Sequence, residues 1–255
     1  PLYSSAASDV YKRQVLKFLS YKIKMFLIWF CLASSVEGMS HKIERSFKLI
    51  FWGAELGVLK VKAEISDDKY SISTIGSGKS IINFFSRFRI SSGAVGEVTA
   101  NGNLIPTQSI TRWNAKGKSN ETRLSYINGK LIDFDFSSEL KKPYHIKNPI
   151  GIENTVDTVS FILWLLLERS EAQLCTDKLI ILDGFRMSEL VFANKRTENG
   201  SIVCIGNFNR IAGFKKLEKT GKPLKFKIIY SQEQNNSFEI SIVEIETIFG
   251  KIFVR

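Results

Sequence analysis

From residue 39 onward, apolar and polar residues alternate with a period of two over much of the chain. Leu59, Val61, Ala63 and Ile65 alternate with Lys60, Lys62 and Glu64, which predicts a strand with one face inward and the other in water. Tyr70, Ile72 and Thr74 repeat the pattern after Asp67-Asp68. Leu124 and Tyr126 run into Asn128-Gly129 and then Leu131, Asp133 and Asp135. An Asn-Gly pair between alternating runs predicts a hairpin, because both turn residues tolerate positive φ. Asp183-Gly184 predicts a second one between strands at 179–182 and 187–192. Strands at 226–230, 238–245 and 252–254 follow, with turns at 234–237 and Gly250.

Residues 156–169 (VDTVSFILWLLLER) depart from the alternation. Good helix formers without Gly or Pro predict a helix, with Thr155 or Asp157 as N-cap. It is apolar on every side, so it should be buried on most of them. The apolar run is too short for a membrane span, which needs ~20 residues. The segment at 141–151 reads as a connection before this helix. Together these elements predict a mainly β single domain over 39–255. Its core is a curved antiparallel sheet, a half-barrel or barrel, with one short buried helix near 156–168.

The first residues read differently. Residues 4–14 resemble a peptide that recurs as adapter read-through in assembled environmental sequence, so 1–14 are set aside. Residues 15–38 then show an export pattern. Lys17, Lys22 and Lys24 precede an apolar stretch at 25–36 (MFLIWFCLASSV), and Val36-Glu37-Gly38 offers small residues before a cleavage bond. The expectation is a cleavable signal peptide and a periplasmic protein. Phe30 before Cys31 argues against lipidation at that cysteine.

The formal net charge is +11. Such an excess suits an anionic membrane surface, an acidic glycan or nucleic acid. Export disfavours nucleic acid, and the expected role of the charge is a solvated surface that keeps the protein soluble, with membrane-surface contact as the alternative. Beyond the export segment only Cys175 and Cys204 remain. An even count in an oxidising compartment predicts one disulfide, and closing a loop of roughly thirty residues would stabilise by about 3–4 kcal/mol. Strands two apart lie near 10 Å from each other at ~4.8 Å per step, whereas bridged Cα atoms lie within ~7 Å. Cys175 is therefore expected beyond the end of its strand.

The chain resembles a proteobacterial domain-of-unknown-function family of exported β-proteins. The match begins with Gly53 and Gly57, Tyr70-Ser71-Ile72, Ser92-Gly93 and Asn103-Leu104-Ile105-Pro106. It continues through residues 155–160, Cys175, residues 182–186, Cys204 and Ile211-Ala212-Gly213-Phe214. The family pattern has a basic residue after Asp183-Gly184, where this chain has Phe185. The resemblance implies export and a β fold, with a shape similar to periplasmic lipoprotein carriers that hold acyl chains in a half-barrel. It implies no activity.

Residues that could carry chemistry are few. His41 and His145 are the two histidines; His41 falls beside the cleavage site, in a mobile region. A zinc site needs three or four spaced ligands, and none is visible, so no metal or other cofactor is expected. Gly76-Ser77-Gly78-Lys79-Ser80 lacks the first Gly and following helix of a phosphate loop and reads as a Gly/Ser hairpin. Asp133, Asp135, Glu139, Asp157 and Asp183 could pair for glycoside hydrolysis at ~5–10 Å. A solvated face, a helix cap and a turn account for most of them. No catalytic residue is assigned. Phe84, Phe88, Trp113, Phe161 and Trp164 are candidates to line an apolar cavity.

The expected function is non-enzymatic binding of a lipid or other apolar or amphipathic envelope molecule. The alternatives are an assembly factor that binds another envelope protein through a strand edge, and an envelope hydrolase.

Overall fold

The computed structural model describes residues 40–79, 88–99, 101–137, 142–176, 178–216, 218, 221–233, 236–247 and 249–255. The adapter-like and export segments, Phe84 and Glu139 lie outside them. Ser40–Arg255 form one compact unit.

Fourteen strands build one sheet. In chain order they are β1 (His41–Phe51), β2 (Ala54–Ser66), β3 (Lys69–Gly78), β4 (Arg89–Val98), β5 (Leu104–Ala115), β6 (Lys118–Ile127), β7 (Lys130–Phe136) and β8 (Val156–Asp157). After helix α1 (Thr158–Leu166) come β9 (Lys178–Leu182), β10 (Met187–Glu198), β11 (Ser201–Ala212), β12 (Leu224–Gln232), β13 (Phe238–Thr247) and β14 (Gly250–Val254). The spatial order runs from β7 down to β1, then from β14 down to β8. Two meanders therefore join where β14 pairs with β1.

The alternation acts as expected. In β3, Tyr70, Ile72, Thr74 and Gly76 are buried and their neighbours exposed. Asn128 and Gly129 take φ of 49° and 74°, the paired positive values of a tight hairpin turn. Register shifts in the β1–β2, β4–β5, β6–β7, β10–β11 and β12–β13 pairs bend the sheet. The bend brings its two ends together. Leu124 and Tyr126 of β6, Leu131 of β7 and Leu182 of β9 share one apolar cluster. The 142–155 connection lies on the β7 edge: Leu131 N–H donates to the Ile152 carbonyl (2.9 Å), and Gly151 N–H to the Leu131 carbonyl (2.8 Å). The same connection reaches the β9–β10 turn through Ile146 N–H and the Phe185 carbonyl (2.9 Å). His145 stacks there on Phe185, with ring centroids 4.8 Å apart.

Three expectations are corrected. The helix is shorter than 156–168. Val156 and Asp157 pair in parallel with Ile181 and Leu182, and Leu167 leaves the helix at ψ 131°. That exit lets Arg169 exchange backbone hydrogen bonds with Phe238. Gly76-Ser77-Gly78 is no hairpin but the end of β3, paired on both sides. His41 opens β1 opposite Ile65.

Candidate functional site

α1 sits inside the curve of the sheet, and both of its ends are anchored. At the N-terminus Asp157 is the cap, its carboxylate accepting from Val159 N–H (2.8 Å) and Ser160 N–H (3.0 Å). The Ser160 hydroxyl lies 2.6 Å from the Tyr70 hydroxyl of β3. Gly96 of β4 makes room for this, because a Cβ there would strike the Tyr70 ring. Burial pushes the Asp157 carboxyl above its ordinary value, against the pull of the Ser160 and Val159 hydrogen bonds. Burial, then the Asp157 charge, pushes the Tyr70 and Tyr126 hydroxyls well up. At the C-terminal end the Arg169 guanidinium lies 4.0 Å from the Trp164 ring centroid and donates to the Trp164 carbonyl at 3.0 Å.

Between these anchors the helix has two unlike faces. Val159, Leu163 and Trp164 are buried against Val61, Ile72 and Ala94 of β2–β4 and their neighbours. Phe161, Ile162, Leu165 and Leu166 face a cavity of about 300 Å³. Its other walls are Leu190, Phe208, Leu224, Phe226 and Ile228 from β10–β12, Ile240, Val243, Ile245 and Val254 from β13–β14, and Phe47 and Leu59 from β1–β2. Every lining side chain is Phe, Leu, Ile or Val. The volume is at the lower end of small-molecule sites.

Gly206 of β11 shapes one wall. A Cβ there would collide with the Phe226 ring and the Val191 carbonyl, so glycine lets Phe226 lie flat on the sheet and leaves the space above it open. Cys175 and Cys204 are bridged, with Cα atoms 5.2 Å apart. Cys204 lies on β11 between Lys195 and Ile228, while Cys175 precedes the first residue of β9, beyond the strand end. The bridge belongs to the apolar cluster of Leu190, Phe226, Ile228 and Tyr230. It ties the segment after α1 to a cavity wall.

Among the described aromatic candidates only Phe161 lines the cavity. Trp164 packs beside it in an aromatic row, Phe161 to Trp164 (6.2 Å) to Phe192 (6.3 Å). Phe88 and Trp113 lie at and near the paired ends of β4 and β5, away from the cavity. Asp183 accepts from Phe185 N–H (3.1 Å) and Arg186 N–H (2.8 Å), and Gly184 at φ 97° packs against Phe134. That turn is structural. Asp133 and Asp135 are on the exposed face of β7. Among the described residues no group of three or more His, Cys, Asp or Glu could hold a metal ion. None of their helices is long and apolar enough to cross a membrane.

A larger hollow of about 640 Å³ lies over β1–β5. Its floor includes Ser71, Ser73, Ser91 and Gly93, and its charged side chains already pair, Lys62 with Glu44 at 2.9 Å and Lys42 with Glu64 at 3.9 Å. The apolar cavity is the better site because an unfilled apolar lining gains most from a guest.

No protein-family model matches the chain, and no curated protein matches it. Among solved structures it is similar to a β-barrel-like protein of the domain of unknown function DUF1849 from Brucella abortus. The TM-score is 0.47 at 10% identity, over 86% of this chain and 96% of that one. The likeness transfers no residue role.

Proposed function

We propose that this chain is an exported, non-enzymatic envelope protein that holds an apolar or amphipathic molecule by an acyl chain in the cavity between α1 and β10–β14. The observation that carries this reading is the composition of the lining: fifteen side chains from seven strands and one helix converge without a polar group. Such a surface offers nothing for catalysis and favours a hydrocarbon guest. Roughly a dozen carbon atoms would fit, since an apolar cavity of ~150 Å³ accepts benzene. The Cys175–Cys204 bridge supports an oxidising compartment. Recruitment of a partner strand at β7 is weakened as an alternative, because the 142–155 connection already pairs with the start of that edge at Lys130 and Leu131.

The test is native mass spectrometry of the protein purified from the periplasm. A co-purifying lipid or single-chain amphiphile is the expected result. Ligand-free spectra across independent preparations, or a protein that stays in the cytosol, would refute the reading.

A further inference from the structure

We propose that the rim of the sheet carrying Trp52 and Phe249 is a docking surface for an anionic lipid bilayer. The two residues sit on adjacent turns. β1 ends at Phe51 and β14 begins at Gly250, with Phe51 opposite Ile252. The Trp52 indole packs where a Gly250 Cβ would be, and stacks on Phe51 at 5.1 Å. Trp52 is nevertheless 79% exposed and Phe249 70% exposed. Large aromatics left this bare, side by side, suit the boundary between water and lipid.

The backbone at Trp52 strengthens the case. Trp52 and Gly53 take φ of 47° and 77°, the conformation that Asn-Gly adopts with least strain. The β5–β6, β6–β7 and β10–β11 hairpins of this sheet use Lys116-Gly117, Asn128-Gly129 and Asn199-Gly200 at the same geometry. Among the described non-glycine residues at positive φ, Trp52 is the one aromatic, and a bulky ring in that conformation is uncommon.

The same rim is basic and adjoins the cavity. Strand directions place the β11–β12 connection at this end, and between Gly213 and Pro223 the sequence has four lysines against one glutamate. Lys215 and Lys222 are exposed. Phe208 and Leu224 of the cavity wall face each other beside that connection, and Ile245 lies just before the Phe249 turn. A bilayer seated on this rim would face the end of the cavity. The orientation matters for the acyl-binding function proposed above and rests on it; contact with lipid itself does not. Lysines near the surface attract anionic headgroups in a salt-dependent way.

The test is co-sedimentation of the protein with phosphatidylglycerol/phosphatidylethanolamine vesicles and with phosphatidylcholine vesicles. The expected result is binding to the anionic vesicles that weakens as salt rises. Phe249→Ser and Trp52→Asn should each lower the partition coefficient at least ~tenfold. Trp52→Asn should also keep or raise the thermal midpoint, so loss of binding cannot be read as unfolding. Both variants should keep their affinity for a soluble fluorescent fatty acid. The cavity-blocking Val243→Trp should do the reverse, losing the fatty acid and keeping the vesicles, which separates failure of the rim from failure of the cavity. The proposal is overturned if the wild type ignores anionic vesicles, if it binds phosphatidylcholine equally, if the rim variants bind like wild type, or if Val243→Trp abolishes docking.

Discussion

Val243 is the position from which to block the cavity without opening a hole elsewhere. It lies on β13, between Ile228 of β12 and Val254 of β14, and its side chain lines the cavity. Val243→Trp puts an indole into a space of about 300 Å³. The indole occupies room for roughly four guest methylenes, each giving about 0.8 kcal/mol on burial. The variant should therefore bind an acyl chain about 3 kcal/mol more weakly, a ~200-fold rise in Kd. Absolute affinity stays modest, because association and chain ordering offset much of the gross gain. The assay is fluorescence titration with dansyl-undecanoic acid, with thermal unfolding in parallel. The thermal midpoint of the variant should hold or rise, since the substitution fills space rather than removing contacts. Failure of the wild type to bind the probe, or a variant Kd within about threefold of wild type, would refute the assignment.

Asp157 separates capping from charge. Asp157→Asn keeps a good N-cap and should change stability by less than ~1 kcal/mol at neutral pH, whereas Asp157→Ala should lose ~2 kcal/mol by urea denaturation, having stripped the cap and a Ser160 partner. Because burial raises the folded carboxyl above its ordinary value, the fold prefers the protonated form. The wild type should thus gain stability as pH falls through the folded value towards ~4, and Asp157→Asn should lack that gain. His145 has the opposite sign: burial, then Arg186, lowers its pKa, and its Nδ1 accepts from Lys142 N–H at 3.1 Å. The fold prefers neutral imidazole, so stability falls as pH drops through ~6.5 towards the folded value; thermal midpoints of wild type and His145→Phe should diverge there. Replacing both Cys175 and Cys204 by serine should cost about 3–4 kcal/mol in guanidinium unfolding, and an unchanged midpoint would show that the bridge does not constrain the unfolded chain.

The frame of this molecule is written in local patterns. Leu59 to Ile65 alternate because one side faces α1 and the other water, and Asn128-Gly129 turns where two residues must share positive φ. The limits of α1 were not legible, since Val156 and Leu167 are apolar enough for either a helix or a strand. Only the distant partners Ile181 and Phe238 decide how the segments flanking the helix pair. Among the described candidates the cavity was legible only in Phe161. Aromatic number says nothing about which face a ring occupies, so Trp164 turned out to be packed and Trp113 to lie on the far meander. Most of the lining comes from Leu190, Phe208, Ile240 and Val243, which read as ordinary core in alternating strands. The useful signal was Gly206, a glycine inside a strand that marks a close approach, here by Phe226. Trp52-Gly53 carried a second signal, an aromatic where a tight turn wants asparagine.

The strand order has a kinetic corollary. β1 is made first, yet one of its neighbours, β14, arrives roughly two hundred residues later, and such distant pairing slows folding. During synthesis the early meander therefore exposes a bare margin that invites association with other chains. Zipping of this seam should be the late step, and a growing chain would need to be shielded until then.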